Sequence, residues 1–175
     1  MILGMKYKTG LTAGTFDILT SKHVDLLWRM KSMCGRLIVG VNTEAKLARR
    51  KPNVWTPLDQ RMALVESLAP VDEVFACDLS DMRLIESGEQ IHDHAVLSAR
   101  FDYDAFLIGS DYRDAPRYVH DRALALACGK GYEFVDCPYD GKGVSSSSVK
   151  AKLDEAEYKK LCAALAETGV YVVRG

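Results

Sequence analysis

Short apolar runs alternate along the chain with stretches whose apolar residues recur at helical spacing. The runs Tyr7–Ala13, Arg36–Val41, Glu73–Ala76, Ala105–Ile108 and Glu133–Asp136 predict five strands. They are short and rich in apolar and β-forming residues, and their alternation with helical patterns is that of a parallel sheet covered on both faces. Between them, Val24–Ser32 sets Val24, Leu27, Trp28 and Met30 at helical spacing. Pro57–Leu68 opens with Thr56 as N-cap and Pro57 at the first helical position. Pro116–Ala127 predicts a helix ending near Gly129, and Asp154–Glu167 an amphipathic one stopped by Gly169. Strand and helix in alternation predict an α/β fold: a doubly wound, parallel, five-stranded sheet. Residues 80–100 read as a helix plus loop, with His92-Asp93-His94 on a solvated surface, and Val170–Arg174 as an extended tail.

Length and charge narrow the partners. The 175 residues suit one domain, with residues 1–153 as its body and 154–175 as a helix and tail packed against it. A net charge of −1 gives no uniform positive field for a nucleic-acid backbone or an anionic membrane, so any anion site is local. No apolar run approaches the ~20 residues of a membrane helix. Met1–Tyr7 lacks the basic and apolar pattern of a secretory signal, and a cytoplasmic location is expected. Five widely spaced cysteines, Cys34, Cys77, Cys128, Cys137 and Cys162, fit a reducing compartment, small buried roles and no metal site.

Three segments carry candidate chemistry. The first strand runs into Ala13-Gly14-Thr15-Phe16-Asp17, then Thr20-Ser21-Lys22-His23 and a helix. A strand, a small-residue turn and a helix start form an anion cradle, because the backbone comes close at glycine and unpaired amides face the ligand. Late in the chain, Val144-Ser145-Ser146-Ser147-Ser148-Val149-Lys150 leads into the last helical region, where hydroxyls cap amides or grip phosphate oxygens. A basic cluster, Arg49-Arg50-Lys51, follows the second strand at the sheet edge where such folds bind ligands, and Arg61 adds a cation directed at that edge.

With these motifs the chain resembles the cytidylyltransferase-like nucleotidyltransferases, whose signature is G-x-F-D, then H-x-G-H or T-x-G-H, and later I-S-[ST]-[ST]. Gly14-Thr15-Phe16-Asp17 with Thr20-Ser21-Lys22-His23 is similar to the first part, and Val144-Ser145-Ser146-Ser147 to the last. Val41 through Arg50, Asp59-Gln60-Arg61 and Val71-Asp72-Glu73-Val74 resemble glycerol-3-phosphate cytidylyltransferases, and Ile108-Gly109-Ser110-Asp111-Tyr112 resembles their G-D-D-W segment. Heptose-phosphate adenylyltransferases are similar over Arg36–Arg61 and approach their serine motif through D-G, as Asp140-Gly141 does here.

The resemblance implies a Rossmann-like nucleotidyltransferase domain over residues 1–153. It implies transfer of CMP or AMP from CTP or ATP, with Mg²⁺, to a small phosphorylated acceptor such as glycerol 3-phosphate or a sugar phosphate, with CTP preferred. His23 matches the histidine that contacts the phosphates, Thr20 the first motif position and Arg50 a phosphate-neutralising lysine. Lys22 stands where the family has glycine, and is assigned as a further cation to the phosphates. Gly14, Thr15, Phe16, Asp17, Lys51, Arg61, Gly109, Asp111, Ser145, Ser146 and Ser147 complete the nucleotide site. Asp140 stands where cytidylyltransferases have an arginine, so CTP and ATP both stay open, as does a weakened, nucleotide-binding descendant. A homodimer is expected, with Val170–Val173 as an added strand or interface patch.

Overall fold

A computed structural model describes residues 5–48, 53–136 and 146–167 of the chain. The five expected strands are present as β1 (Tyr7–Gly14), β2 (Cys34–Asn42), β3 (Glu73–Cys77), β6 (Ala105–Gly109) and β7 (Gly131–Val135). All their pairings are parallel, in the order β3-β2-β1-β6-β7. Helices α1 (Ser21–Met33) and α3 (Leu58–Glu66) return the chain between strands on one side of β1, and α4 (His94–Arg100) and α5 (Pro116–Ala127) on the other. The first half winds outward from β1 to β3 and the second from β6 to β7, so the order reverses between β1 and β6.

Neighbouring residues of one strand feed two cores. Phe106 and Ile108 join Leu11, Ile38, Leu97, Tyr118 and Tyr132 on the α4/α5 face, while Leu107 joins Leu27, Met30, Val39, Val41 and Val65 on the α1/α3 face. This two-sided burial explains why the strands lack polar alternation. The helix α5 matches its predicted bounds and closes at Gly129, whose φ of 72° is the left-handed conformation that glycine tolerates.

Several boundaries differ from expectation. Helix α1 begins at Ser21 and β2 at Cys34, immediately after it. Helix α3 starts at Leu58 with Pro57 as its cap residue, because the Thr56 hydroxyl donates to the Asp17 carbonyl (2.5 Å) instead of capping the helix. The segment read as helix plus loop holds a two-stranded antiparallel hairpin, β4 (Met82–Leu84) with β5 (Gln90–His92), ahead of α4. Two short helices, α2 (Glu44–Leu47) and α6 (Ser146–Lys150), flank the carboxyl edge of the sheet, and α7 (Glu155–Glu167) follows. Tyr158 of α7 meets Trp55 at a ring separation of 5.5 Å. The expected tail Val170–Arg174 lies outside the described residues.

Candidate active site

The cleft exists because β1 and β6 part company. Their register stops at Leu11↔Phe106, whereas β1 continues beside β2 as far as Gly14↔Val41. The freed ends, Thr12 to Gly14 on one side and Ile108 and Gly109 on the other, line an opening of about 460 Å³. An open α/β sheet binds its ligand at this switch point.

The turn after β1 is fixed by its own residues. A Cβ at Gly14 would fall 2.7 Å from the Phe16 ring, so the ring lies against the glycine backbone. Phe16 holds φ at 51°, a conformation an aromatic residue keeps only when its surroundings impose it. Asp17 supplies much of that constraint. Its Oδ1 accepts from the amides of Trp55 (2.9 Å) and Thr56 (2.8 Å), and its Oδ2 pairs with Lys150 of α6. Asp17 thus joins the turn, the segment 53–56 and α6.

Helix α1 points its start into the cleft. The Thr20 amide donates to His23 Nδ1 at 3.1 Å, and the Thr20 hydroxyl lies 2.9 Å from the same nitrogen. An amide N–H only donates, so Nδ1 is the acceptor and the neutral ring carries its proton on Nε2. The ring also packs against Phe16 at 5.6 Å. Thr20 thereby sets both the orientation and the tautomer of His23. On α6, Ser146 donates to the Ile18 carbonyl (3.1 Å), and Ser146 and Ser147 both line the cleft.

Of the residues assigned from sequence, the structure brings Gly14, Thr15, Phe16, Asp17, His23, Gly109, Ser146 and Ser147 to one cleft. Thr20 stands behind His23, Lys22 occupies the first turn of α1, and Asp111 is exposed just beyond Gly109. Arg50, Lys51 and Ser145 lie outside the described residues, as do Arg49, Asp140 and Cys137. Arg61 does not face a ligand. It is fully buried, and its guanidinium donates to the carbonyls of Thr56 (2.8 Å), Thr15 (2.9 Å) and Asn42 (2.7 Å) and to Glu44 (2.7 Å). Its charge holds the ends of β1 and β2 and the segment 53–56 together beneath the cleft.

The cleft also contains side chains that motif reading passed over: Asn42, Lys46, Gln90, His92, Arg117, Tyr118, Asp121 and Lys150. The placing of His92-Asp93-His94 on a solvated surface is corrected, since all three are buried. Asp121 of α5 draws the two histidines together: it accepts from the His92 amide (2.7 Å), His92 Nδ1 (3.1 Å) and the Tyr132 hydroxyl (2.7 Å), and His94 Nε2 lies 3.4 Å from its carboxylate. Burial opposes ionisation of Asp121, but the two histidines outweigh it and hold the carboxyl below the usual carboxylate range. Burial lowers the pKa of His92, favouring its neutral ring, and pushes the Tyr103 hydroxyl up to about 12. The described cysteines are unpaired thiols, and burial raises the pKa of Cys34 and Cys77.

The cytidylyltransferase-like family model matches residues 11–152. The bifunctional protein HldE of Halorhodospira halophila is 39% identical over 119 residues, 66% of this chain and 22% of that protein. The chain therefore spans about a fifth of that relative's length. The glycerol-3-phosphate cytidylyltransferase of Bacillus subtilis is 24% identical over 146 residues, 83% of this chain and 97% of that one. Among solved structures, the lipopolysaccharide core biosynthesis protein of Thermoplasma volcanium GSS1 superposes with a TM-score of 0.56 at 20% identity, over 77% of this chain and 99% of that one, and so shares the fold.

Proposed function

Because the chain belongs to the cytidylyltransferase-like family, we propose that it transfers a nucleoside monophosphate from a nucleoside triphosphate to a small phosphorylated acceptor, releasing pyrophosphate. The observation that carries this reading is His23, held by Thr20 at the start of a 13-residue helix that opens onto the parted ends of β1 and β6. The helix start offers amides and the His23 ring offers an Nε2–H, both matched to phosphate oxygens.

The acceptor phosphate attacks the α-phosphorus: one phosphorus–oxygen bond forms, the bond to the β-phosphate oxygen breaks, and pyrophosphate takes the electron pair. An acceptor phosphate is already anionic near neutral pH, so no side chain has to remove a proton. Rate then depends on alignment and on donors placed where charge builds up. His23, Ser146 and Ser147 all line the cleft and offer donors to that charge. Arg50, Lys51, Ser145 and Lys22 are assigned to the triphosphate on sequence grounds. Mg²⁺ would accompany the triphosphate and offset its charge, while the amides at the start of α1 and the His23 ring would hold the anionic donor.

ATP is the favoured donor. The departure at Asp140 and the higher identity with HldE, 39% against 24% for the cytidylyltransferase, both weigh against the CTP first expected. The test is pyrophosphate release from each triphosphate with a panel of phosphate monoesters, with products identified by mass. Release with ATP and the matching adenylylated product is the expected result. Nucleotide binding without release across the panel would leave a nucleotide-binding protein instead. A homodimer is proposed as the working unit, to be read by light scattering at micromolar concentration. Among the described residues no helix is long and apolar enough to cross a membrane.

A further inference from the structure

Phosphate transfer leaves one pair of buried reactive groups without a role. Lys46 of α2 is 4% exposed and Cys77, the last residue of β3, is 0% exposed, and the lysine ammonium donates to the cysteine sulfur at 2.9 Å. Among the described residues no carboxylate pairs with this lysine.

The backbone holds the two side chains against each other. Asn42 and Cys77 end their paired strands opposite one another, and the Thr43 amide donates to the Cys77 carbonyl at 3.1 Å. The Thr43 hydroxyl donates to Asp78 Oδ1 (2.8 Å) and accepts from the Lys46 amide (3.3 Å). Thr43 is thus bonded both to the end of β3 and to the start of α2, and the contact between nitrogen and sulfur is a fixed one.

The pair is also placed to react. Burial raises the pKa of the Cys77 thiol, while the charge and hydrogen bond of Lys46 lower it, so the ammonium is the group that favours the reactive thiolate. Lys46 lines the cleft, and a molecule as small as hydrogen peroxide meets the pair from that side. Cys34 is equally buried, but its sulfur faces the Met30 carbonyl (3.4 Å) instead of an amine.

We infer that Lys46 and Cys77 form a redox modification site, at which a peroxide joins the two side chains through one oxygen atom as a reversible sulfur–oxygen–nitrogen bridge. One peroxide gives an oxygen to the thiol, which becomes a sulfenic acid as water leaves. Lys46, after releasing a proton to water, takes an oxygen from a second peroxide and becomes a hydroxylamine, again with loss of water. The hydroxylamine oxygen then attacks the sulfenic sulfur. A sulfur–oxygen bond forms, the bond to the sulfenic hydroxyl breaks, and that hydroxide leaves as water with the hydroxylamine O–H proton. Sulfur and nitrogen each lose two electrons, which reduce the two peroxides. Two equivalents of a dithiol return the thiol, the amine and one water. The bridging nitrogen carries no positive charge, so oxidation takes a cation from the cleft wall and ties α2 to β3. The site does not depend on what the cleft transfers.

The test uses the full chain, reduced, treated with hydrogen peroxide, quenched with catalase, alkylated with iodoacetamide, digested with trypsin and read by tandem mass spectrometry. With its amine blocked, Lys46 stays within residues 37–49, and Cys77 lies within residues 62–83. The expected product is these two peptides joined, at their summed mass plus one oxygen and less two hydrogens, and dithiothreitol should separate them. Cys77→Ser should give no joined product, and neither should the parent chain oxidised in urea, where nothing holds the two side chains together. Recovery of Cys77 as the alkylated thiol, or as a sulfinic or sulfonic acid beside an unmodified Lys46, overturns the inference. So does a joined product that forms as readily in urea, or a Cys34 thiol lost as fast as that of Cys77.

Discussion

Lys150 forms an ion pair with the carboxylate of Asp17, and through it α6 is tied to the turn that follows β1. The same ammonium donates to the Asn53 carbonyl and lies 5.0 Å from the Trp55 ring centre. Asp17 is 6% exposed, so removing the lysine leaves a carboxylate oxygen buried without its partner. Lys150→Ala is expected to lose about 1–3 kcal/mol of stability in urea unfolding. An unchanged midpoint would show that the pair contributes nothing.

His23→Ala is expected to reduce kcat by roughly 10²–10³, the usual cost of losing one preorganised donor, with its melting temperature close to that of the parent. Thr20→Val isolates the hydroxyl, since the Thr20 amide still holds Nδ1. It should cost about 1 kcal/mol of helix capping and change kcat far less than His23→Ala. Equal rate losses in the two variants would contradict the assignment of the tautomer to the amide.

Arg61→Met tests burial against ligation. Three carbonyls lose their donor in a fully buried site, and a loss of about 3–5 kcal/mol is expected. Arg61→Lys should also be destabilising, because one ammonium cannot reproduce the planar fork. A lysine variant that is stable but weak in nucleotide binding would return Arg61 to the ligand side of the cleft.

Acid should weaken the fold in two stages. His92 has a folded pKa below its unfolded value of about 6.5, so the unfolded chain takes up the proton first. Stability is complete above pH ~6.5 and declines as pH falls toward the folded pKa. Asp121, also depressed, adds its own loss below about pH 3.9, its unfolded value. Urea unfolding at pH 7.5 and 5.5 reads the first stage, and in His92→Asn the difference between the two should shrink. A parent chain more stable at pH 5.5 would reverse the sign assigned to His92.

Much of the sheet was legible because Leu37–Val41 in β2 and Ala105–Ile108 in β6 are short apolar runs set between helical patterns, and Pro116 and Gly129 mark the ends of α5. The hairpin was not, since β4 and β5 have three residues each and Met82-Arg83-Leu84 is too short to show a period. The motif residues around Gly14 and His23 stood out by their spacing. His92 and Asp121 did not, because their burial depends on a carboxylate from a distant helix meeting a strand end, which no local pattern encodes. Arg61 misled for the same reason: a guanidinium near a ligand edge looks available until the carbonyls around it are counted. Thr56 has the composition of a helix cap, yet the Asp17 carbonyl takes its hydroxyl.

The contact between Phe16 and Gly14 has a consequence for how the sequence is free to drift. With the ring in place, even a methyl group at position 14 collides with it at 2.7 Å, so alanine there is harmful. Once the ring is gone, that collision disappears, and glycine at 16 would relax the left-handed backbone while withdrawing support from His23. Neither substitution has a fixed effect of its own; each takes its size from the residue at the other position. The combined variant Gly14→Ala/Phe16→Gly should therefore be less damaged than the sum of the singles, with a coupling of about 0.5–3 kcal/mol. Lineages that keep this cleft are constrained to change the two positions together or to leave both alone.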